Sequence, residues 1–208
     1  LSAGSLPETT ASGSCVRAAD FDGDGDLDLF VGGRVVTGSY PSPARSYILR
    51  NENGKFLDVT SEVSADLQFP GMVTDALWTD FNQDSKVDLI LVGEFMPITF
   101  FANEGGKLVR LDNTGINQFT GWWNSITGGD FDQDGDVDYV AGNLGTNNNY
   151  QVKSEFPLKV YAKDFDGNGS VDPVLACYMR ESMDSDVKRL YPVHFWDELN
   201  SQSPKFRN

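Results

Sequence analysis

Apolar and polar residues alternate along this chain in short runs, and the runs break at acidic turns. SCVRAA, TDALWT and NSITGG each lead into such a turn, and LDLFV, VDLILV and VDYVA each leave it. Alternation with period two over four to eight residues, rich in Val, Ile, Leu and aromatics, is the pattern of half-buried β-strands. The runs predict an inner strand before each turn and a second strand after it, at 27–31, 87–92 and 137–141. A second hairpin follows. SYILRNENGKFLDVT (46–60) reads as strand, Asn-Gly type turn and strand, and ITFFANEGGKLVRLD (98–112) repeats it. The third copy opens with LKVYAK (158–163), carries a further acidic turn in place of the short one, and continues as PVLACYM.

The acidic turns are nearly identical: DFDGDGDLD (20–28), DFNQDSKVD (80–88), DFDQDGDVD (130–138) and DFDGNGSVD (164–172). Each has Asp at positions 1 and 9, Phe at 2, and Asp or Asn at 3 and 5. Oxygen ligands at this spacing suit a hard divalent cation, since calcium takes six to eight oxygens and tolerates irregular geometry. A small residue at position 6 lets the chain wrap round the ion, and the carbonyl of position 7 adds an oxygen. An EF-hand would close with Glu at position 12 between helices. Here position 12 is Val31, Leu91, Ala141 or Leu175, and strand-like runs flank the loops. The expectation is an all-β protein with calcium loops inside β-hairpins.

The first three loops start 60 and 50 residues apart, and the fourth follows 34 residues later. Such periods point to a propeller or another repeat array. The expected organisation is one propeller segment with four-stranded blades at about 11–60, 71–112 and 121–180, then an irregular or helical start of a further unit at 181–208. Three blades do not close a ring, so a larger propeller is expected.

Charge refines this picture. There are 31 acidic and 16 basic residues, a formal charge of −15, and 16 of the acids lie in the four loops. The acidity is therefore local metal chemistry rather than a disordered acidic tail. No basic patch offers contacts to phosphates, so nucleic-acid binding has no support. No apolar run approaches the roughly 20 residues of a membrane span. The sequence shows no secretory signal and does not begin with Met, which reads as a processed or truncated piece. Calcium sites of millimolar affinity suit the outside of a cell.

The loops and the strands around them resemble the FG-GAP/VCBS repeats of integrin α-subunit propellers and of bacterial surface proteins. DGDLDLFVGGRV, PGMVTDALWTDF, GWWNSI and YAKDFDGNGSVDP are similar to large VCBS-repeat proteins of the Bacteroidota. Over about 11–180 the resemblance implies metal ligands at Asp20, Asp22, Asp24, Asp26 (carbonyl) and Asp28, and at Asp80, Asn82, Asp84, Lys86 (carbonyl) and Asp88. It implies a third set at Asp130, Asp132, Asp134, Asp136 (carbonyl) and Asp138, and a fourth at Asp164, Asp166, Asn168, Ser170 (carbonyl) and Asp172. Up to four Ca2+ ions follow. The 80–88 loop is expected to be the weakest, having Ser85 for Gly and one carboxylate fewer. The literal Phe-Gly and Gly-Ala-Pro signatures are missing.

Little else carries chemistry. His194 stands alone, and no nucleophile triad, phosphate loop or zinc spacing is present. Cys15 and Cys177 fall on an inner and an outer strand, so no disulfide is expected between them. In a propeller the metal loops share one face. The connections on the other face carry Tyr40, Arg45 and Tyr150, and Phe69, Phe119, Trp122 and Trp123 sit between repeats. Tyr40, Arg45, Trp122, Trp123 and Tyr150 are the candidate ligand-face residues, suited to a protein or glycan. The leading expectation is a calcium-binding extracellular interaction module, on a cell surface such as the bacterial outer membrane, joined to the rest of a larger polypeptide. The alternative is the propeller of a carbohydrate-active enzyme such as a polysaccharide lyase, although no catalytic constellation is visible.

Overall fold

A computed structural model describes residues 4–9, 11–150, 152–182 and 186–193. His194 and the rest of 194–208, the greater part of the stretch expected to be irregular or helical, lie outside the described residues. Thirteen strands are described: β1 Ser12–Ala19, β2 Asp28–Val35, β3 Tyr47–Glu52, β4 Lys55–Asp58, β5 Met72–Thr79, β6 Asp88–Pro97, β7 Thr99–Asn103, β8 Leu108–Arg110, β9 Thr120–Gly129, β10 Asp138–Asn143, β11 Lys159–Lys163, β12 Asp172–Arg180 and β13 Lys188–Pro192. A single helical turn, α1 Thr60–Val63, and a 3-10 turn, Ala65–Leu67, link β4 to β5. The described sheets are antiparallel.

The first sheet has the order β1-β2-β3-β4 that the repeat predicts. The second starts the same way, with β5 on β6, β6 on β7 and β7 on β8, but it also takes in β9 and β10. β6 causes this. It runs past the expected end at Val92 to Pro97, and on either side of an irregularity at Phe95, which has φ +57, it pairs with β9 through Glu94↔Trp122, Met96↔Gly121 and Pro97↔Thr120. The third repeat therefore departs from one four-stranded sheet: β9–β10 extend the second sheet, and β11–β12 pair with β13 in a separate one. β13 is a strand in the segment expected to be irregular or helical. Two compact units result, one of residues 1–37 and 42–143, the other of 38–41 and 144–208.

In the first unit the sheets pack face to face. β6 is buried on both sides, which explains its unbroken apolar run. Leu89 and Leu91 join Phe21, Phe30 and Ile48 of the first sheet in one core cluster, with Val63 and Leu67 of the helical link closing it. Ile90 and Val92 face the other way and pack with Ile126, Trp123 and Tyr139. Fully burying each such side chain contributes about 1.5–3 kcal/mol. Polar groups fix the register between the sheets. Arg17 of β1 pairs with the buried Asp75 of β5 and donates to the Ala76 carbonyl at 3.0 Å. The other Asp75 oxygen accepts the Ile126 amide of β9 at 3.1 Å. Arg34 of β2 pairs with Glu94, which is 2% exposed. Two glycines are required by close approach: a Cβ on Gly33 would overlap the Arg45 carbonyl, and one on Gly93 the Met72 carbonyl.

The candidate metal loops

All four aspartate loops close β-hairpins: β1–β2, β5–β6, β9–β10 and β11–β12. The conformation is the same each time. Positions 4 and 6 have positive φ: Gly23 and Gly25, Gln83 and Ser85, Gln133 and Gly135, Gly167 and Gly169. This turns the loop amides inward onto the carboxylates. In the first loop, Asp20 accepts Gly23 and Asp24 amides on Oδ1 at 2.8 and 3.1 Å and the Gly25 amide on Oδ2 at 3.0 Å. Asp22 accepts the Asp24 amide, and Asp24 the Asp26 amide. Asp80, Asp130 and Asp164 repeat the position-1 role, accepting the position-6 amides of Ser85, Gly135 and Gly169 at 2.8, 3.2 and 2.9 Å.

Position 9 anchors the loop. Asp28 and Asp88 are fully buried. Each accepts the position-2 phenylalanine amide on Oδ2 and a third-strand amide on Oδ1: Phe21 and Asn51 for Asp28, Phe81 and Asn103 for Asp88, the Oδ1 bonds both 2.7 Å. Asp138 and Asp172 hold the amides of Phe131 and Phe165 at 3.0 and 2.9 Å. Asn51 and Asn103 are missed by the ligand pattern in the sequence. Their signal was the Asn at or next to the end of the third strand in both second hairpins, where the side chain also accepts the turn amide of Gly54 or Gly106. Asn103 does more: its Nδ2 donates to the Phe21 carbonyl at 2.6 Å and the Val87 carbonyl at 3.0 Å, tying the first loop to the second.

In three loops the carboxylates of positions 1, 3 and 9 converge. Ligand atoms of Asp20, Asp22 and Asp28 lie within 4.8 Å of one another, as do those of Asp130, Asp132 and Asp138, and of Asp164, Asp166 and Asp172. Two charges about 4 Å apart repel by about 1 kcal/mol even at the dielectric of water, and more near protein. Hard oxygen donors gathered this closely fit a divalent cation that would offset the repulsion. In the second loop Asn82 replaces one carboxylate, and the Lys86 ammonium sits on Asp84 at 3.0 Å. That hydrogen bond holds Asp84 below the usual carboxylate range. Elsewhere the environment is set by burial and amides. Burial pushes Asp28 up from 3.8 to about 6 and raises Asp88 as well. The Gly169 amide, with those of Asn168 and Gly167, lowers Asp164. The neighbouring Asp134 charge raises Asp136.

Residues 80–141 match the family model of the FG-GAP-like repeat. That stretch is an FG-GAP-like repeat. The matched FG-GAP-like stretch opens on the second aspartate loop, contains the third and ends in β10. No curated protein matches the chain. Successive loops of the repeat lie side by side in the first unit. A cleft of about 290 Å³ separates the first from the second, lined by Asp20, Asp22, Lys86 and Asn103, and another of about 290 Å³ the second from the third, lined by Asp80, Phe81, Asp136 and Tyr139.

The five candidate ligand-face residues are spread over the two units. Arg45 ion-pairs with Asp58 at 2.6 Å and its guanidinium lies 4.4 Å over the Tyr47 ring. Trp122 and Trp123 lie within β9 rather than in a connection. Trp123 packs in the second core cluster and donates to the Met96 carbonyl at 3.1 Å, whereas half-buried Trp122 meets Phe95 at 5.2 Å. Tyr40 and Tyr150, both half-buried, belong to the second unit. Phe69 and Phe119 are 61% and 59% exposed. Cys15 and Cys177 are free thiols, both raised by burial. Among the described residues no helix is long and apolar enough to cross a membrane.

Proposed function

We propose that this chain is a calcium-binding, extracellular interaction module of propeller type, in which the ions brace the repeat and the connections at the other ends of the hairpins meet a protein or glycan. The observation that carries the reading is the convergence of three carboxylates in each of three aspartate loops. FG-GAP-like repeats are typical of extracellular proteins, where calcium is plentiful enough to fill sites of about 10⁻⁴–10⁻³ M affinity. Bound calcium would supply positive charge to the carboxylate groups and tie the first strand of each hairpin to the second. The 80–88 loop is the weakest of the four on this reading, because Lys86 competes for Asp84.

Half-buried aromatics, Trp122 near the start of β9 and Tyr150 on the connection after β10, are the contact residues we assign to the ligand face. The test is binding of the purified chain to arrays of surface glycans and extracellular protein domains, in calcium and in chelator. The reading predicts a ligand retained in calcium, lost in chelator, and weakened about tenfold or more by Trp122→Ala or Tyr150→Ala. Binding indifferent to both substitutions would remove the assignment of this face.

A further inference from the structure

The second and third aspartate loops differ at three of their nine positions: Asn82 stands for Asp132, Ser85 for Gly135 and Lys86 for Asp136. Each difference acts against a bound cation. Asn82 puts a neutral amide oxygen where the other three loops bring in a carboxylate that converges with positions 1 and 9. Ser85 carries a side chain at φ +66, in the left-handed region that glycine adopts without strain. Lys86 brings a positive charge of its own. With three acids and one base the second loop has a formal charge of −2, against −5 for the five acids of the third.

The Lys86 ammonium is already engaged. Its Nζ donates to Asp84 Oδ2 at 3.0 Å, while the Lys86 amide donates to Asp84 Oδ1 at 3.0 Å, so both oxygens of the position-5 carboxylate are taken. Lys86 also lines the cleft between the first two loops together with Asp20 and Asp22, which sets the ammonium among carboxylates of both. Apart from the ion, the second loop is closed as the others are. Asp80 accepts the Asp84 and Ser85 amides at 3.0 and 2.8 Å, and buried Asp88 accepts those of Phe81 and Asn103. The hairpin it closes is the central one. β5 and β6 supply Val73, Ala76, Leu89 and Leu91 to one core cluster, and β6 supplies Ile90 and Val92 to the other.

We propose that Lys86 is the resident cation of the second loop, and that the β5–β6 hairpin keeps its loop without calcium while the first and third loops depend on the ion. Calcium enters the second loop only by displacing the ammonium from Asp84. The central hairpin of the first unit is then indifferent to calcium, and the hairpins on either side of it respond. This rests on the calcium reading of the other loops and adds a division of labour among them.

Hydrogen exchange read by mass spectrometry, on the purified chain at millimolar calcium and in chelator, tests it. In wild type the amides of 20–28 and 130–138 gain protection with calcium, and those of 80–88 change little. The triple variant Asn82→Asp, Ser85→Gly, Lys86→Asp makes the second loop identical to the third. It is expected to bind one more ion than wild type by native mass spectrometry and to make protection of 80–88 calcium-dependent. Lys86→Gln alone, which leaves the backbone and the acids as they are, is expected to move 80–88 the same way and covers a triple variant that fails to fold. Calcium-dependent protection of 80–88 in wild type equal to that of its neighbours overturns the proposal, as does a folded triple variant that binds no more ions than wild type. A chain in which no loop responds to calcium overturns the calcium reading itself, a different result from either.

Discussion

Asp28 has both carboxylate oxygens occupied by backbone amides and no exposure to solvent. Burial still outweighs the amides and lifts it to about 6. A carboxyl raised on folding favours the metal-free fold most when the group is protonated in both states. That contribution is complete below about pH 4 and is lost as pH climbs to about 6. Metal binding has the opposite sign, since a cation needs the carboxylate and releases its proton. In chelator, wild type therefore loses stability relative to Asp28→Asn between about pH 4 and 6. Thermal melts of both proteins across this range check it, and parallel curves contradict it. Ser85 makes a second residue-scale case. It holds φ +66 where the other loops have glycine, and the left-handed region costs a side chain about 1 kcal/mol or more. Ser85→Gly is expected to tighten metal binding at the second loop several-fold, measured by calorimetry.

At the scale of elements, Asn103 links the second hairpin of its repeat to two aspartate loops. Asn103→Ala leaves the Phe21 and Val87 carbonyls without that donor and is expected to cost on the order of 1–3 kcal/mol in a denaturant melt. A loss below a few tenths would mean that water replaces the amide. Hairpins were legible in the sequence because their contacts are local: alternation gives each strand, and the loop or Asn-Gly turn gives its partner. The acids that converge in three of the loops were legible because the aspartate spacing repeats from loop to loop. The β6–β9 pairing was not, because a left-handed Phe95 hands the ladder from one strand to another and no local pattern encodes it. The same pairing drew Trp122 and Trp123 into β9. β13 was missed because its partner β12 already looked complete as the last strand of a repeat.

At the scale of the molecule, the sequence repeat and the sheet repeat are not the same thing. Four near-identical loops recur, yet the strands between them are shared among sheets of four, six and three. What is constant is the loop itself with its own amide network, joined in three of the four by convergent acids. The central claim is that these loops are calcium sites that brace the fold. The direct measurement is a calcium titration of the thermal melt from chelator-stripped protein, with bound ions counted by native mass spectrometry. Calcium at ten to a hundred times its dissociation constant stabilises by about 1.4–2.7 kcal/mol per site, and each kcal/mol moves a domain of this size by about 2–4 °C. Three or four bound ions and a rise on the order of 10 °C or more are predicted. No bound ion and no shift would contradict the account.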